Sequence, residues 1–547
     1  MSNSLQSQSQ PVYKAVVVEY KDGNNEVAVS ANNPLPVTGT ITTGDSGLPE
    51  ADPLPVFQPI SQGAFGDQLV ANLSQEIALM FNYHLDSDAL ISITQNSATV
   101  TVSNSKMILA TGGVMNSLAV AKSKDCLRYR PGYGGLVRFS LGVTTGYTGT
   151  EQTAGIGDEE DGLFFSYRDH DASGVPDMCI VRRYFGAKEI RYLTLTGGST
   201  SATNTTITLN GVAFTVAVSN NSSAVNLTAT NIANNFSSTD WTASAFGNLV
   251  VFTAIHAGVK SGSYSFSAGT SGITTSPSGQ LTQKVAGVNK SEEVVPSSSW
   301  NYDKADGTGT LPDIDWSKGN IYQIKYQWLG YGMIQFYIED PSLGRFIRVH
   351  AIRYANQNTT PTVSNPTFPF YFYAANPTES SNVSMFTSSC GGFVEGNTGR
   401  ATGGNKKTYT VSDNCGDSGT LLSTLYNPNN FKNKHSRVQV SITDLSVSAA
   451  SAVTFRFYRN AALTGTASWT SIGTNSCMYY DEGSSGYTGG ELVCAIRVEQ
   501  QSNNNLSAQD VSDGVLIMHP DEMLSIVATS DNGTVKVGCS INWIEYL

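Results

Sequence analysis

The stretch GNIYQIKYQWLGYGMIQFYIEDPSLGRFIRVHAI, residues 319–352, constrains the chain more than any other. Tyr322, Ile324, Tyr326 and Trp328 fall on alternate positions, as do Ile334, Phe336 and Ile338. Successive side chains of a strand point to opposite faces of the sheet, so a period of two marks strands with one buried face. Asp340-Pro341-Ser342-Leu343-Gly344 then supplies the backbone angles of a tight turn between the second and third strands. The segment reads as a hairpin from the core of a β-sandwich.

The same signal recurs along the sequence. GLVRFSLGVTTG, DGLFFSYRD and DMCIVRRYFGAKEIRYLTL read as successive sandwich strands. Residues 193–288 read as an insertion. TNTTITLNGVAFTVAVS turns at Asn210-Gly211, a strong hairpin signal. Val225, Leu227, Ile232 and Phe236 then take helix-compatible spacing, and WTASAFGNLVVFTA returns to strand around Gly247-Asn248. Near the C-terminus RVQVSIT, VTFRFYR, LVCAIRVE, GVLIMH, MLSIVATS and TVKVGCSINWIEYL read as another sandwich or jelly roll, with Trp543 packed in its last strand.

A single core stops growing at roughly 250–300 residues, and this chain has 547. The expected fold is therefore mainly β: tandem β-sandwich or jelly-roll domains, a small inserted ββαββ module and an extended N-terminal anchor. The boundaries expected are 1–60 for the anchor, 61–192 plus 289–398 for a central sandwich, 193–288 for the module and 399–547 for the C-terminal sandwich. The two central pieces are joined because neither has enough strands to close two packed sheets. The polar, glycine-rich NTGRATGGNKKT at 397–408 marks the break before the last domain.

The first 60 residues differ from the rest. VYKAVVVEYKDGNNEVAVSANNPLPVTG reads as a hairpin around Asp22-Gly23-Asn24-Asn25 that breaks at proline. Asn33-Pro34-Leu35-Pro36-Val37 returns as Asp52-Pro53-Leu54-Pro55-Val56. Proline fixes φ and lacks a donor, so both segments should be extended and excluded from the middle of a sheet. Two readings stand: a linker, or a strap that docks in a groove on another protein.

Composition excludes several function classes. Charged residues make up 14%, against a typical ~25%. Hydrophobic residues at 40% still suffice for real cores. A net charge of −12 argues against nucleic acid as a partner, since phosphate binding needs clustered Lys and Arg. The start, MSNSLQSQSQPVYK, has no apolar core, so no secretory signal is expected. No run approaches the ~18 apolar residues of a span, and no membrane insertion is expected.

Catalytic signals are missing from the sequence. There is no HExxH, no GxSxG, no phosphate-binding loop and no CxxC pair or zinc spacing. Glu339 and Asp340 are adjacent at a strand end, a poor pair for glycoside cleavage. Cys126, Cys179, Cys390, Cys415, Cys477, Cys494 and Cys539 read as buried thiols, with a Cys477–Cys494 pair as the alternative under oxidising conditions. His84, His170, His256, His350, His435 and His519 read as surface or satisfied sandwich residues. The run Asp158-Glu159-Glu160-Asp161, followed by Asp169, Asp171 and Asp177, is expected to be a solvated turn, with a calcium site as the alternative. No catalytic residue, metal site or cofactor is assigned, and the chain is read as a non-enzyme. Binding has more support: SCMYYDEGSSGYTGGE places Tyr479, Tyr480, Asp481 and Tyr487 in what reads as a glycine-rich loop. Tyrosines beside a carboxylate can grip a sugar ring, which makes these four the receptor-binding candidates; the alternative is that they pack on the end of the sandwich.

The strings YQIKYQWLGYGMIQFYIEDPSLGRFIRVHAIRYANQNTTPTVSNPTFPF, GIGDEEDGLFF and NNPLPVTG resemble virion structural proteins, of fibre, spike or decoration type, from tailed phages and large double-stranded DNA viruses. The resemblance spans most of residues 12–400 and covers the C-terminal part less well. It implies a virion protein, made in the host cytoplasm, held to other virion proteins through residues 1–60, with Asn33–Val37 and Asp52–Val56 as the anchoring segments. It also implies outward-facing β-domains, commonly trimeric; the tyrosine candidates above make a host-surface glycan the expected partner. Two further functions are carried as alternatives: a capsid-decorating, cementing, neck or baseplate protein without a receptor role, and a polysaccharide depolymerase. The central hairpin is also similar to concanavalin-type lectin sandwiches, though the carboxylate triplet of related glucanases is not evident.

Overall fold

The computed structural model describes residues 19–22, 25–28, 72–396, 404–499, 506–510 and 516–547. The chain divides into two units, Met1–Gln58 and Pro59–Leu547. In the first, Glu19–Asp22 pairs antiparallel with Asn25–Ala28, Asp22 opposite Asn25. The proline segments 33–37 and 52–56 lie outside the described residues.

Among the described residues, the second unit holds three large apolar cores and two smaller clusters. The largest lies between two antiparallel sheets. One has the order Ser291–Pro296, Asp177–Tyr184, Gly162–Arg168, Glu151–Gly157, Phe368–Asn376, Ser117–Leu127 and Leu90–Gln95. The other runs Arg345–Ile352, Ile334–Asp340, Asn320–Tyr326, Gly134–Val143, Ser384–Thr387, Lys106–Ala110 and Thr99–Ser103. Beside Gly134–Val143 it also carries Ser389–Glu395, which pairs in turn with Leu73–Met80.

The alternating hairpin forms the heart of this sandwich. Tyr322, Ile324, Tyr326, Ile334, Phe336 and Ile338 are all buried. Trp328 departs from the alternation: the strand ends at Tyr326, and Trp328 sits half-buried in the connecting turn with its indole N–H donated to Val363 O at 3.3 Å. Rings span the gap between the sheets, with Phe165 4.7 Å from Tyr322 and 5.5 Å from Phe336 between centroids. Each fully buried side chain of this size contributes roughly 1.5–3 kcal/mol.

The second core belongs to the module. Ile190–Gly197, which the sequence pattern assigned to the run of sandwich strands, pairs instead with Leu249–Ala254 and Thr282–Val285. Thr203–Leu209 and Val212–Val218 form a hairpin whose turn residues Asn210 and Gly211 both have positive φ, at 42° and 84°. One helix, Val225–Asn235, packs on these strands. Its buried face is Val225, Asn226, Thr228, Ala229 and Ile232, whereas Leu227 is exposed and not part of the face the spacing suggested. No helix among the described residues is long and apolar enough to cross a membrane.

The third core fills a C-terminal pair of sheets. Asn405–Cys415, Val535–Glu545, Val440–Ala449 and Leu506–Asp510 form one, and Thr470–Ser471, Tyr479–Asp481, Thr420–Asn427, Glu522–Ser530, Val453–Arg459 and Glu491–Val498 the other. Trp543 is 1% exposed, and its indole N–H donates to the buried Glu545 carboxylate at 2.9 Å. The fold is thus nearly all β, with multiple packed sheets. Six of the seven cysteines are buried thiols and Cys494 is half-buried.

Candidate functional site

The connection Asp158–Asp161 links Glu151–Gly157 to Gly162–Arg168, two strands whose side chains are almost all buried. Asp158 donates its N–H to Asp161 O at 2.9 Å, and its Oδ1 accepts the N–H of Glu160 at 2.9 Å, an Asx turn that closes the hairpin. Gly157 enters the turn with φ +133°, where an added Cβ would lie 2.3 Å from Asp161 O. Only glycine fits that approach.

The expectation of a solvated turn is overturned: all four carboxylates are less than a tenth exposed. Such burial is tolerable only if each charge meets a cation or donors, and the partners come from three parts of the chain. Asp158 is held by Arg437 of the C-terminal sandwich, Nε to Oδ2 at 3.0 Å and Nη2 to Oδ1 at 2.6 Å. Glu159 accepts from Tyr371 OH at 2.5 Å and lies 3.2 Å from Lys290 Nζ and 3.6 Å from His256 Nδ1. Glu160 accepts the N–H of Lys188 at 2.7 Å and faces His435 Nδ1 at 3.2 Å. Asp161 accepts from Phe185 N at 3.1 Å, Ser364 N at 3.0 Å and Ser364 Oγ at 2.5 Å. Arg183 completes the cluster, donating to Asp158 O at 2.9 Å and to Glu292 Oε1 at 2.7 Å.

The charges sort by what they face. Burial would raise the Asp158 carboxyl, but Arg437, Lys122 and His435 hold it well below its usual range. Glu159 is likewise kept well below by His256, Arg183 and Lys290 against the penalty of burial. For Glu160, His435 outweighs burial and the direction is down. Asp161 is the exception: burial dominates and pushes it up despite Arg437 and Ser364. Burial lowers the Lys188 ammonium.

Beside the cluster lies a small cleft of about 50 Å³. Ile91, Ile93, Leu118, Val120, Ile255 and Tyr371 give it apolar walls, and Lys122, Lys188, Asp158 and Glu159 line its charged end. The carboxylates there are already engaged, Asp158 by Arg437 and Glu159 by Tyr371 and Lys290. What the arrangement does chemically is fasten: it holds charges from distant segments in one low-dielectric knot.

The same segments are joined elsewhere by packing. Phe246 of the module stacks on Tyr426 of the C-terminal sandwich, centroids 4.6 Å apart at 24°. Trp469 donates its indole N–H to Phe246 O at 3.1 Å, and Asn226 Oδ1 accepts the N–H of Ala467 at 2.9 Å.

Tyr479, Tyr480, Asp481 and Tyr487 do not sit in a free loop. Tyr479–Asp481 is a strand paired with Thr424–Tyr426, and Tyr487 lies in Ser484–Thr488, paired with Ala462–Gly465. Asp481 is 1% exposed and accepts backbone N–H groups from Ser468 at 2.6 Å, Gly483 at 2.9 Å and Ser484 at 3.3 Å. Tyr480 packs on Tyr409 at 4.9 Å and Tyr487 on Tyr458 at 5.1 Å. Tyr479 alone of the four is exposed. Glycines misled here: in SSGYTGG, Gly486 lies within a paired strand and Gly489 and Gly490 form the positive-φ turn that follows it. The sequence reading also missed Arg437, Arg183, Lys290 and Tyr371; the usable signal was a four-residue acidic connection between two strands with no polar face.

No protein-family model matches the sequence, and no curated protein matches it. Among solved structures, one from work on the triple jelly roll fold and turret assembly of an archaeal virus aligns with 88% of this chain and 98% of its own, at 8% identity and a TM-score of 0.16. The atomic structure of Sulfolobus Turreted Icosahedral Virus contributes another, covering 87% of this chain and 97% of its own, again at 8% identity and TM-score 0.16. At that score the likeness carries no argument about fold or function.

Proposed function

We propose that the chain is a structural protein of a virus particle, a fibre or spike attached through residues 1–60 and presenting its β-domains for host-surface binding. The observation that carries the reading is the fastening of three cores within Pro59–Leu547 by buried ion pairs and the Phe246–Tyr426 stack. Such construction suits a load-bearing scaffold, since the paired charges and stacked rings fix the cores in one arrangement, and removal of one charge alone would leave its partner buried and unpaired at a cost of several kcal/mol. The resemblance of the 322–370, 155–165 and 32–39 strings to virion proteins points the same way. Under this reading Asn33–Val37 and Asp52–Val56 dock on other virion proteins, the assembly is a homotrimer, and weak distal contacts with a host glycan sum through multivalency. The chemistry is binding, not turnover.

Deletion of residues 1–60 tests attachment. Particles assembled with the shortened chain should lack it, while soluble residues 61–547 should bind host cells. Incorporation of the shortened chain at the normal level would sink the anchor. A second reading, a capsid-decorating protein without a receptor role, gains from the burial of Asp481 in backbone hydrogen bonds. Loss of incorporation without host-cell binding by 61–547 would select it.

A further inference from the structure

The loop between Gly162–Arg168 and Asp177–Tyr184 brings together three donors that sequence spacing does not flag. Arg168 pairs with Asp177 and Ser166 with Cys179, so the eight residues 169–176 leave and re-enter the same end of the sheet. Asp177 and Cys179 are two apart on one strand and therefore share a face. His170, one residue into the loop, folds back over that face. Its Nδ1 lies 3.1 Å from Asp177 Oδ1, and Cys179 Sγ lies 3.2 Å from the same oxygen. All three donor atoms fall within 4.8 Å of one another.

We propose that His170 Nδ1, Asp177 Oδ1 and Cys179 Sγ form a binding site for a divalent transition-metal ion of the zinc type, with water as the fourth ligand. The donor set decides the class of ion. A thiolate, an imidazole and one carboxylate oxygen suit zinc or cobalt, whereas calcium wants six to eight oxygens. The neighbouring carboxylates that a calcium site would need are used locally: Asp171 Oδ1 accepts Ser173 N at 3.1 Å, and Asp169 Oδ2 accepts Gly174 N at 3.0 Å. Metal–ligand bonds of about 2.0–2.3 Å in a tetrahedron set donor–donor edges of roughly 3.3–3.6 Å, so the two spacings to Asp177 Oδ1, 3.1 and 3.2 Å, need to open by only a few tenths of an ångström, and the third edge lies within 4.8 Å.

The surroundings favour an ion. Asp169, next in the chain to His170, uses Oδ2 to accept Gly174 N, and its buried Oδ1 has no hydrogen-bond partner among the described residues, so the loop keeps an acidic character beside His170. Cys179 is fully buried in an apolar patch that includes Phe164 and Val181, while the His170 and Asp177 side chains are about a quarter exposed. An ion can enter from the rim, and the sulfur is shielded from solvent oxidants. Burial and Asp177 hold the thiol above its ordinary range in the metal-free chain. Binding must therefore displace the thiol proton: the S–H bond breaks, the proton goes to solvent, and the sulfur lone pair forms the metal bond. His170 binds as the neutral imidazole. The site would staple the loop to the end of the sheet, independently of the function proposed above.

The test uses the full chain, freed of metal by dialysis against a chelator and titrated with Zn²⁺ and with Co²⁺. One ion per chain should bind, with release of a proton, and the cobalt complex should show thiolate charge-transfer absorption and the intense visible bands of four-coordinate cobalt. Cys179→Ser should abolish the charge-transfer band. His170→Ala, at an exposed position that leaves folding intact, should weaken binding by more than about tenfold, since even the hydrogen-bonding partners of metal ligands are worth roughly 10–100-fold. Ca²⁺ should not compete. Absence of saturable one-to-one binding, a cobalt spectrum without a thiolate band, or unchanged affinity in His170→Ala would overturn the site.

Discussion

Arg437 grips Asp158 through two hydrogen bonds, 3.0 and 2.6 Å long, across 279 positions of sequence. Both side chains are almost fully buried. The pair is therefore a fastening whose halves are each unfavourable alone. Arg437→Met should strand the Asp158 carboxylate and lower stability by about 3–5 kcal/mol. Adding Asp158→Asn should restore part of the loss, because the uncompensated charge is then gone. The midpoints of denaturant unfolding for the wild type, the single variant and the double variant check this, and a single variant as stable as the wild type would refute it.

A second fastening responds to pH. His519 sets Nε2 2.8 Å from Asp125 Oδ1 and Nδ1 3.2 Å from Glu522 Oε2, with Lys124 also 3.4 Å from Glu522. Burial alone would lower the imidazole, but the hydrogen bonds to Asp125 and Glu522 outweigh it and raise it above the ordinary 6.5. A group whose folded pKa is raised contributes stability that is fully present below its unfolded value and fades as pH rises through the folded one. The thermal midpoint gap between the wild type and His519→Gln should therefore be widest just below pH 6.5 and narrow on the alkaline side. A gap that grows with pH would reverse the assignment.

What could be read from the sequence is what depends on near neighbours. Alternation at Tyr322, Ile324 and Tyr326 fixes a buried strand face, and Asn210-Gly211 closes a hairpin, because both signals act within a few residues. The helix at Val225–Asn235 was legible as a helix, yet its buried face was not: Asn226 and Thr228 turn inward because the C-terminal sandwich and the loop at Ser199 offer them hydrogen bonds. Asp158–Asp161 failed for the same reason on a larger scale. Four carboxylates in a row look solvated unless one knows that Arg437 arrives from another sheet. His170, Asp177 and Cys179 carry no recognisable spacing either, since the hairpin register and not the interval brings them together.

Phe246 offers a probe of the module's seating. Its ring stacks on Tyr426 and packs in a small cluster with Tyr192, Val251 and Met523. Phe246→Ala should cost about 3–5 kcal/mol at this joint, while the module's own core, built on Leu193, Ile207, Ile232 and Phe252, stays intact. Limited proteolysis should then release fragments cut around the module's connections before either sandwich is degraded. Wild-type resistance in the variant would show that the stack is not what seats the module.

Asp481 and Tyr479 separate a ligand contact from a structural one within the same three-residue strand. Asp481 is consumed by three backbone donors, at Ser468, Gly483 and Ser484. Asp481→Ala should leave those N–H groups without an acceptor in a buried setting and destabilise the C-terminal sandwich by about 1–3 kcal/mol. Tyr479 is 36% exposed on a strand held on both sides. Tyr479→Ala should leave unfolding unchanged within about 0.5 kcal/mol and reduce host-cell binding by residues 61–547. Asp481→Ala is expected to reduce that binding only in step with the fraction unfolded. Equal binding losses in both variants at full folding would mean that the carboxylate reaches the ligand after all.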